Sequence, residues 1–172
     1  MSTVSSYRAP ELFIQGKWRA GRHSMTMPIV NPANSQKLDD LRLASSDDIE
    51  QALAAAQSGF DAWRQIPAHE RCTRLEKGVA RMRQRTEEIA TLLTLEQGKP
   101  IAQSRLEVLR ACDIIEWDAN EGRRVYGRIV PPRNINVQQN VLKQPVGPVA
   151  AFTPWNFPIN QAVRKMSAAL AT

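Results

Sequence analysis

The chain has 172 residues, of which 42% are apolar and 23% are charged, and its formal net charge is +6. This length and composition fit one ordinary domain with enough apolar residues to build a core. No stretch approaches the ~20 apolar residues of a membrane span, and the first residues carry no apolar run of signal-peptide length, so we expect a soluble cytoplasmic protein. Arginines alternate with glutamates as on a solvated helix face, which argues against a nucleic-acid partner.

The N-terminal part is predicted to form a β-ribbon. Residues Leu12 to Ala20 alternate as in a single strand that Gly21 closes, and residues Met25 to Leu38 form a second extended piece. The sequence NPAN, Asn31 to Asn34, predicts a turn because proline restricts the residue before it.

Three helical regions follow. The first begins with Ser46 as N-cap and is stopped by Pro67, the second runs from Arg71 to Gln97 and ends at Gly98, and the third runs from Ile101 to Tyr126. Apolar residues recur at helical spacing in each region. In the third helix this spacing predicts one buried stripe, formed by Leu106, Leu109, Cys112 and Ala119 and widened by Ile114 and Trp117.

The pattern changes after Gly127. Residues Ile135 to Pro145 alternate like an edge strand or an arm, and the apolar run Val146 to Pro154 is typical of a buried strand in a parallel sheet. Residues Ile159 to Ala171 predict a helix, with Pro158 in a tolerated first-turn position. This order indicates an α/β protein that reaches its first βα unit. One strand and one helix cannot make a sheet, so we expect more chain after Thr172.

The turn between that strand and that helix, TPWNFP, is the candidate functional motif. Ligands of open α/β sheets bind beyond the carboxyl ends of the strands, which is where this turn falls. The amide of Asn156 is a hydrogen-bond donor that does not ionise, and it suits a site where an oxyanion develops. The alternative is that Asn156 caps the helix that follows.

The motifs of the chain resemble those of the NAD(P)-dependent aldehyde dehydrogenase superfamily. TPWNFP is preceded by PVGPVAAF and followed by RKMSAALAT, and LLTLEQGKPIAQSRLEV resembles the segment with the family's Glu-x-Gly-Lys-Pro signature. FIQGKW, IVNPAN and EWDANEGRRVYGRIVPP resemble the family's ribbon and the long helix before its arm. From about Leu12 the chain is therefore similar to the N-terminal portion of that fold, truncated inside the first, Rossmann-like βα unit of the cofactor domain.

The resemblance implies roles for individual residues of the turn and its helix. It makes Asn156 the donor that holds the oxyanion of the thiohemiacetal, and Lys165 a lysine that helps proton movement. Thr153, Pro154 and Trp155 would line the nicotinamide-ribose side of the NAD or NADP cleft. The pair Arg164-Lys165 and the stretch EGRRVYG resemble the succinate-semialdehyde branch, which implies that Arg164 meets the substrate's carboxylate beside Phe157. The alternatives are that Lys165 and Arg164 are solvent-facing residues of the helix.

The resemblance also implies a domain organisation and partners. Residues 1–126 would be the ribbon and helical part of the cofactor-binding domain, 127–145 the oligomerisation arm, and 146–172 the incomplete βα unit. The full enzyme would oxidise a small aldehyde and form a homodimer or homotetramer. An alternative is a non-catalytic helical module that associates with other subunits.

The chemistry of the family needs a nucleophilic cysteine and a general-base glutamate that lie beyond Thr172. The two cysteines of the chain, Cys72 and Cys112, lie on apolar stripes of predicted helices, where cysteine is usually inert packing. They form neither a disulfide framework nor a metal motif, so no metal site is expected. The 172 residues by themselves are therefore expected to be inactive.

Overall fold

A computed structural model describes residues 7–172. The strands and helices within this range, in chain order, are β1 (Leu12–Ile14), β2 (Lys17–Arg19), β3 (Thr26–Asn31), β4 (Gln36–Arg42), α1 (Ser46–Trp63), α2 (Ala68–Gln84), α3 (Thr86–Gln97), α4 (Ile101–Gly122), β5 (Arg128–Val130), β6 (Gln139–Val141) and α5 (Pro158–Ala171). The predicted α/β composition is confirmed, although residues 1–6 of the predicted first region lie outside the described residues.

Two antiparallel hairpins form the predicted β-ribbon. The single strand predicted for Leu12 to Ala20 is wrong, because Gln15 and Gly16 have φ angles of 53° and 75° and turn the chain between β1 and β2. Two consecutive residues with positive φ match the hairpin turn whose twist suits paired strands. The predicted NPAN turn is confirmed between β3 and β4, where the side chain of Asn31 accepts a hydrogen bond from the Ala33 amide (2.9 Å).

A buried carboxylate caps α1 and connects it to the ribbon. The N-cap is Ser45, not the predicted Ser46, because the Ser45 hydroxyl and the Asp48 carboxylate bond reciprocally to each other's backbone amides. Asp48 also accepts the backbone amide of Arg22 (2.8 Å) and lies 3.1 Å from the guanidinium of Arg19. The hydrogen bond from the Ser45 amide has the largest effect on the pKa of Asp48, followed by the Arg22 amide and then by the Ser45 hydroxyl and the charge of Arg19. Together they lower this pKa to about 2.

The second predicted helix is in fact two helices. Arg85 leaves helical geometry (φ −100°, ψ 16°), so the helix predicted from Arg71 to Gln97 begins earlier, at Ala68, and breaks into α2 and α3. At the break the Thr86 hydroxyl donates to the Arg83 carbonyl (2.7 Å), which offers the backbone an alternative to helix continuation. Gly98 ends α3 in the left-handed conformation (φ 83°), as predicted.

Helix α4 lies at the centre of the fold and contacts α2, α3 and α5. It ends at Gly122 rather than at the predicted Tyr126. A Cβ at Gly122 would lie 2.4 Å from the Ala171 carbonyl, so this position needs glycine for the close approach of α5. The predicted buried stripe is only partly correct: Cys112 and Ala119 are buried, but Leu106, Leu109 and Trp117 are exposed, and the buried face consists of Ser104, Glu107, Val108, Ala111, Cys112, Ala119 and Gly122. Periodicity finds apolar residues but does not say which of them meet a neighbouring helix.

Helix α5 packs along α4 and is held at its C-terminal end by side chains from α1 and α2. The indole N–H of Trp63 donates to the Leu170 carbonyl (2.9 Å), and Nε of Arg71 donates to the Ala171 carbonyl (3.2 Å). Ser167 donates to the Asp118 carboxylate of α4. The bonds from Trp63 and Arg71 satisfy carbonyls that the C-terminal end of the helix leaves free.

The buried strand predicted for Val146 to Pro154 is not present. Residues 142–157 form no strand, and Val146 and Phe152 are 92% and 87% exposed. A strand of a parallel sheet takes its hydrogen bonds from neighbouring strands, and within residues 7–172 nothing pairs with this segment. No helix in the described part of the chain is both long enough and apolar enough to cross a membrane.

Candidate active site

The TPWNFP turn lies at the N-terminal end of α5. Pro158 occupies the start of the helix, and the N-cap residue Phe157 makes no side-chain capping bond. Asn156 precedes the N-cap, so the alternative in which it caps the helix is not what the structure shows. Asn156 is exposed, and within residues 7–172 its hydrogen bond is made by its backbone carbonyl and not by its side-chain amide. The donor predicted from the sequence is therefore free to meet a ligand.

The cap of α5 comes from a different helix. Oε1 of Glu107, in the second turn of α4, accepts hydrogen bonds from the backbone amides of Ile159 (3.0 Å) and Asn160 (3.3 Å). Glu107 is 2% exposed. Its negative charge lies at the positive end of the α5 dipole, where a carboxylate is favourable. Glu107 thus fixes the N-terminal end of α5, where the TPWNFP turn joins the helix.

Lys99 connects this cap to the turn. Its Nζ bonds to Oε2 of Glu107, donates to the backbone carbonyl of Asn156 (3.2 Å) and lies 4.4 Å from the centre of the Phe157 ring. The Lys99 side chain is 8% exposed. It follows Gly98, whose left-handed conformation turns the chain at the end of α3. A Cβ at Gly98 would also lie 2.7 Å from the Pro32 ring, so the EQGKP segment needs its glycine for two reasons.

A cleft of about 600 Å³ opens beside the turn. It is lined by Arg110, Asp113, Ile114, Phe157, Asn160, Gln161 and Arg164. The two predicted substrate-binding residues, Phe157 and Arg164, therefore lie in one cleft, and Lys165 lies outside its lining. Within the described residues neither Arg164 nor Arg110 forms an ion pair. The arginines supply donors with the fork geometry that carboxylates and sulfonates match.

Sequence reasoning missed Glu107 and Arg110. Both lie on α4, one turn apart, in the segment RLEVLR, whose charged residues are typical of a solvated helix face. A signal for Glu107 existed in the sequence: it falls eight residues after Lys99 and one residue before the apolar Val108. Helical spacing alone assigns no partner, so this signal is weak without the fold.

The predicted cofactor residues offer free polar groups. Thr153, Pro154 and Trp155 are exposed, and among residues 7–172 they form no hydrogen bonds. The Trp155 ring lies at a groove that also includes Leu93 of α3 and Pro158. A hydroxyl, free backbone groups and an aromatic edge suit the hydroxyls of a ribose and the face of a nicotinamide, so these residues fit the predicted role chemically.

Neither cysteine is placed to act as a nucleophile. Cys72 and Cys112 are 1% and 0% exposed, and burial raises the pKa of both thiols. Both thiols therefore stay protonated near neutral pH, when catalysis would need a thiolate. This agrees with the interpretation of both residues as core packing. Among residues 7–172 no group of three or more His, Cys, Asp and Glu side chains could hold a metal ion.

Residues 18–172 match the aldehyde dehydrogenase family. The chain belongs to the aldehyde dehydrogenase family. The resemblance inferred from TPWNFP and EQGKP is thereby confirmed, and with it the interpretation of the chain as the N-terminal portion of that fold. Aldehyde dehydrogenases of this family depend on NAD or NADP, and solved structures that share the fold include complexes with each.

Individual relatives of this aldehyde dehydrogenase chain differ in their substrates. It is 57% identical over 171 residues to 4-(hydroxymethyl)benzenesulfonate dehydrogenase TsaD1 of Comamonas testosteroni, covering 99% of this chain and 36% of the relative. It is 38% identical over 161 residues to the NADP-dependent succinate-semialdehyde dehydrogenase GabD of Escherichia coli K12, covering 94% of this chain and 33% of the relative. The crystal structure of succinate-semialdehyde dehydrogenase from Burkholderia pseudomallei superposes with a TM-score of 0.91 at 35% identity, covering 99% of this chain and 35% of that one.

The chain spans about a third of the length of the relatives it matches. The matched third contains the turn with Asn156 and the helix with Arg164. It does not contain an exposed cysteine among the described residues.

Proposed function

We propose that this chain is the oxyanion-binding and substrate-entry part of an aldehyde dehydrogenase that converts an anionic aldehyde to its acid. The observation that carries the proposal is the TPWNFP turn, which presents the unpaired amide of Asn156 beside a cleft that contains Arg164. The nucleophile and the general base come from outside residues 1–172.

In the proposed reaction a cysteine thiolate attacks the aldehyde carbon and the carbonyl oxygen becomes an oxyanion. The amide of Asn156 donates to that oxygen, which stabilises charge that develops only during the reaction. Lys165 helps to move the proton. Thr153, Pro154 and Trp155 would line the nicotinamide-ribose side of NAD or NADP, which would supply the hydride acceptor when bound. Water, activated by a glutamate, then releases the acid.

The substrate class follows from the cleft. Arg164, supported by Arg110, would bind the acidic group at the far end of the aldehyde, and the Phe157 ring would pack on its carbon skeleton. Succinate semialdehyde is one such substrate. An aromatic aldehyde with a sulfonate is a second, since the name of the relative TsaD1 specifies a benzenesulfonate.

The remaining assignments are also proposals. The β5–β6 hairpin exposes Ile129, Ile135 and Leu142, which supports an oligomerisation arm at 127–145 and a homodimer or homotetramer. The helical part to residue 126 and the βα unit from 146 would belong to a cofactor-binding domain. A cytoplasmic location goes with these proposals.

The experiment joins residues 1–172 to the equivalent C-terminal remainder of TsaD1, or to the gene's own continuation where the coding sequence reads past Thr172. The hybrid is assayed for NADH or NADPH formation with succinate semialdehyde, 4-formylbenzenesulfonate and neutral benzaldehyde. We expect turnover with the acidic aldehydes and weaker use of benzaldehyde, and no turnover by the 172-residue chain alone.

A folded hybrid that oxidises none of the three aldehydes would overturn the proposal. In that case the module that associates with other subunits is tested by mixing the 172-residue chain with intact TsaD1 and measuring co-elution. A preference for benzaldehyde would leave the enzyme class standing and contradict the proposed substrate class.

A further inference from the structure

Lys99 and Glu107 lie beneath the TPWNFP turn, and their side-chain polar atoms all have partners in the turn, in α5 or in each other. The ammonium group of Lys99 has three hydrogens and three acceptors around it: Oε2 of Glu107, the carbonyl of Asn156 and the face of the Phe157 ring. The other oxygen of Glu107 accepts the amides of Ile159 and Asn160. One buried ion pair therefore holds both the carbonyl of Asn156 and the first amides of α5.

Stability alone is a poor explanation for this pair. Taking two charges out of water is costly, and well-packed apolar residues in the place of a buried pair are often equally stable or more stable. The pair instead makes directional contacts with Asn156, with Phe157 and with the first amides of α5, and these contacts fix the backbone geometry of the turn. The side chain of Asn156 leaves the same residue whose carbonyl is held, so the geometry that is fixed is that of the candidate oxyanion donor.

We propose that Lys99 and Glu107 are positioning residues that set the place and orientation of Asn156 for catalysis. They touch neither substrate nor cofactor and act through the backbone of the turn. This inference rests on the proposed function of Asn156. It assigns to the EQGKP segment, and to a glutamate eight residues later, a role in the rate of the chemical step.

The decisive variant replaces both charges with apolar residues, Lys99→Met together with Glu107→Leu, in the active hybrid enzyme. We expect the melting temperature to fall by no more than the loss of a helix cap causes, because the amides of Ile159 and Asn160 lose their acceptor while the desolvation cost of the two charges is removed. We expect kcat to fall about 10- to 100-fold, since a displacement of about 1 Å at a reacting group costs that much. The KM for the cofactor should change less than about threefold. Unchanged kcat would overturn the proposal.

A double-mutant cycle with Asn156→Ala separates positioning from general damage. If Lys99 and Glu107 act through Asn156, the apolar pair should cause no further loss of kcat in the Asn156→Ala background. Losses that multiply would contradict the proposal. Two variants serve as controls. Val108→Ala removes buried packing next to Glu107, and Glu87→Gln removes a carboxylate from an exposed pair with Arg105 between α3 and α4. Both controls should leave kcat unchanged.

Amide hydrogen exchange gives a readout that needs no turnover. In the hybrid, the apolar pair should speed exchange at Ile159 and Asn160, while Glu87→Gln should not. Continued protection of these amides would contradict the proposed role of Glu107. If the parent hybrid turns over no aldehyde, the proposed function has failed, and the exchange data alone decide whether the pair holds the turn.

Discussion

The two sides of the TPWNFP turn are built differently. On its C-terminal side, α5 is fixed by Glu107 at one end and by Trp63 and Arg71 at the other, and it packs along α4. On its N-terminal side, residues 142–157 form no strand and leave Val146 and Phe152 exposed. The two sides are equally apolar in sequence, and only one of them is packed.

The difference shows which interactions each element needs. A helix satisfies most of its backbone within itself and needs a partner only for one face and for its ends. A strand of a parallel sheet needs neighbours for every backbone group and for both faces. Helix α5 finds its partners among residues 7–172, and the segment before it does not. The turn between them is therefore held from the helix side.

The largest expected effect of a change in the turn is on catalysis and not on folding. Asn156→Ala in the active hybrid should lower kcat about 10²–10³-fold, because one donor to the oxyanion is lost. The melting temperature should stay close to that of the parent, since the exposed amide bonds to nothing in the described chain. The measurement is steady-state kinetics with a thermal unfolding scan. A loss of kcat that tracks a loss of folded protein would contradict the role.

A smaller effect is expected from the cleft beside the packed helix. Arg164→Met should raise the KM for succinate semialdehyde about 10- to 100-fold, the equivalent of a lost charged hydrogen bond. The KM for benzaldehyde should change less than about twofold. Arg64→Met is the matched control, because Arg64 is exposed at the C-terminal cap of α1 and lies over the Phe60 ring. Equal rises in KM for the charged and the neutral aldehyde would show that Arg164 does not bind the acidic group of the substrate.

A matched pair of truncations compares the packed and the unpacked regions directly. Val108→Ala, in the buried face of α4, should lower the free energy of unfolding by about 2 kcal/mol, from lost burial and the cavity left behind. Phe152→Ser, in the exposed segment, removes a larger side chain and should change it by less than about 0.5 kcal/mol. Urea unfolding of the 172-residue chain measures both. A larger cost at Phe152 would mean that the segment packs in solution.

An effect confined to acidic pH is expected from the other buried carboxylate, Asp48. The folded-state pKa of Asp48 is about 2 and its ordinary value is 3.8, so the carboxylate stabilises the fold above about pH 4. This contribution is lost as the pH falls from about 4 to about 2. Urea unfolding between those pH values should show a shallower loss of stability for Asp48→Asn than for the parent. Parallel curves would exclude Asp48 as the titrating group.

Local chemistry in the sequence predicted much of the fold. Turn residues and caps placed NPAN, Gly98 and Pro158 correctly, and motif resemblance placed the family and the turn. It failed at Leu12 to Ala20, where one strand is a hairpin, and at Arg85, where one helix is two. Both errors concern places where the chain changes direction without a proline and where the nearby side chains are compatible with either geometry.

The sequence by itself determined the family, the identity of the candidate donor Asn156 and the inert character of Cys72 and Cys112. These follow from residue types and their local order. Only the tertiary structure decided that Glu107 caps α5, that Lys99 holds the turn, and that Arg110 shares a cleft with Arg164. Each of these arrangements brings together residues that are about 50 positions apart in the sequence. Whether a buried charge stabilises or destabilises the fold depends on its partners, and those partners are supplied only by the packing of α4 against α5.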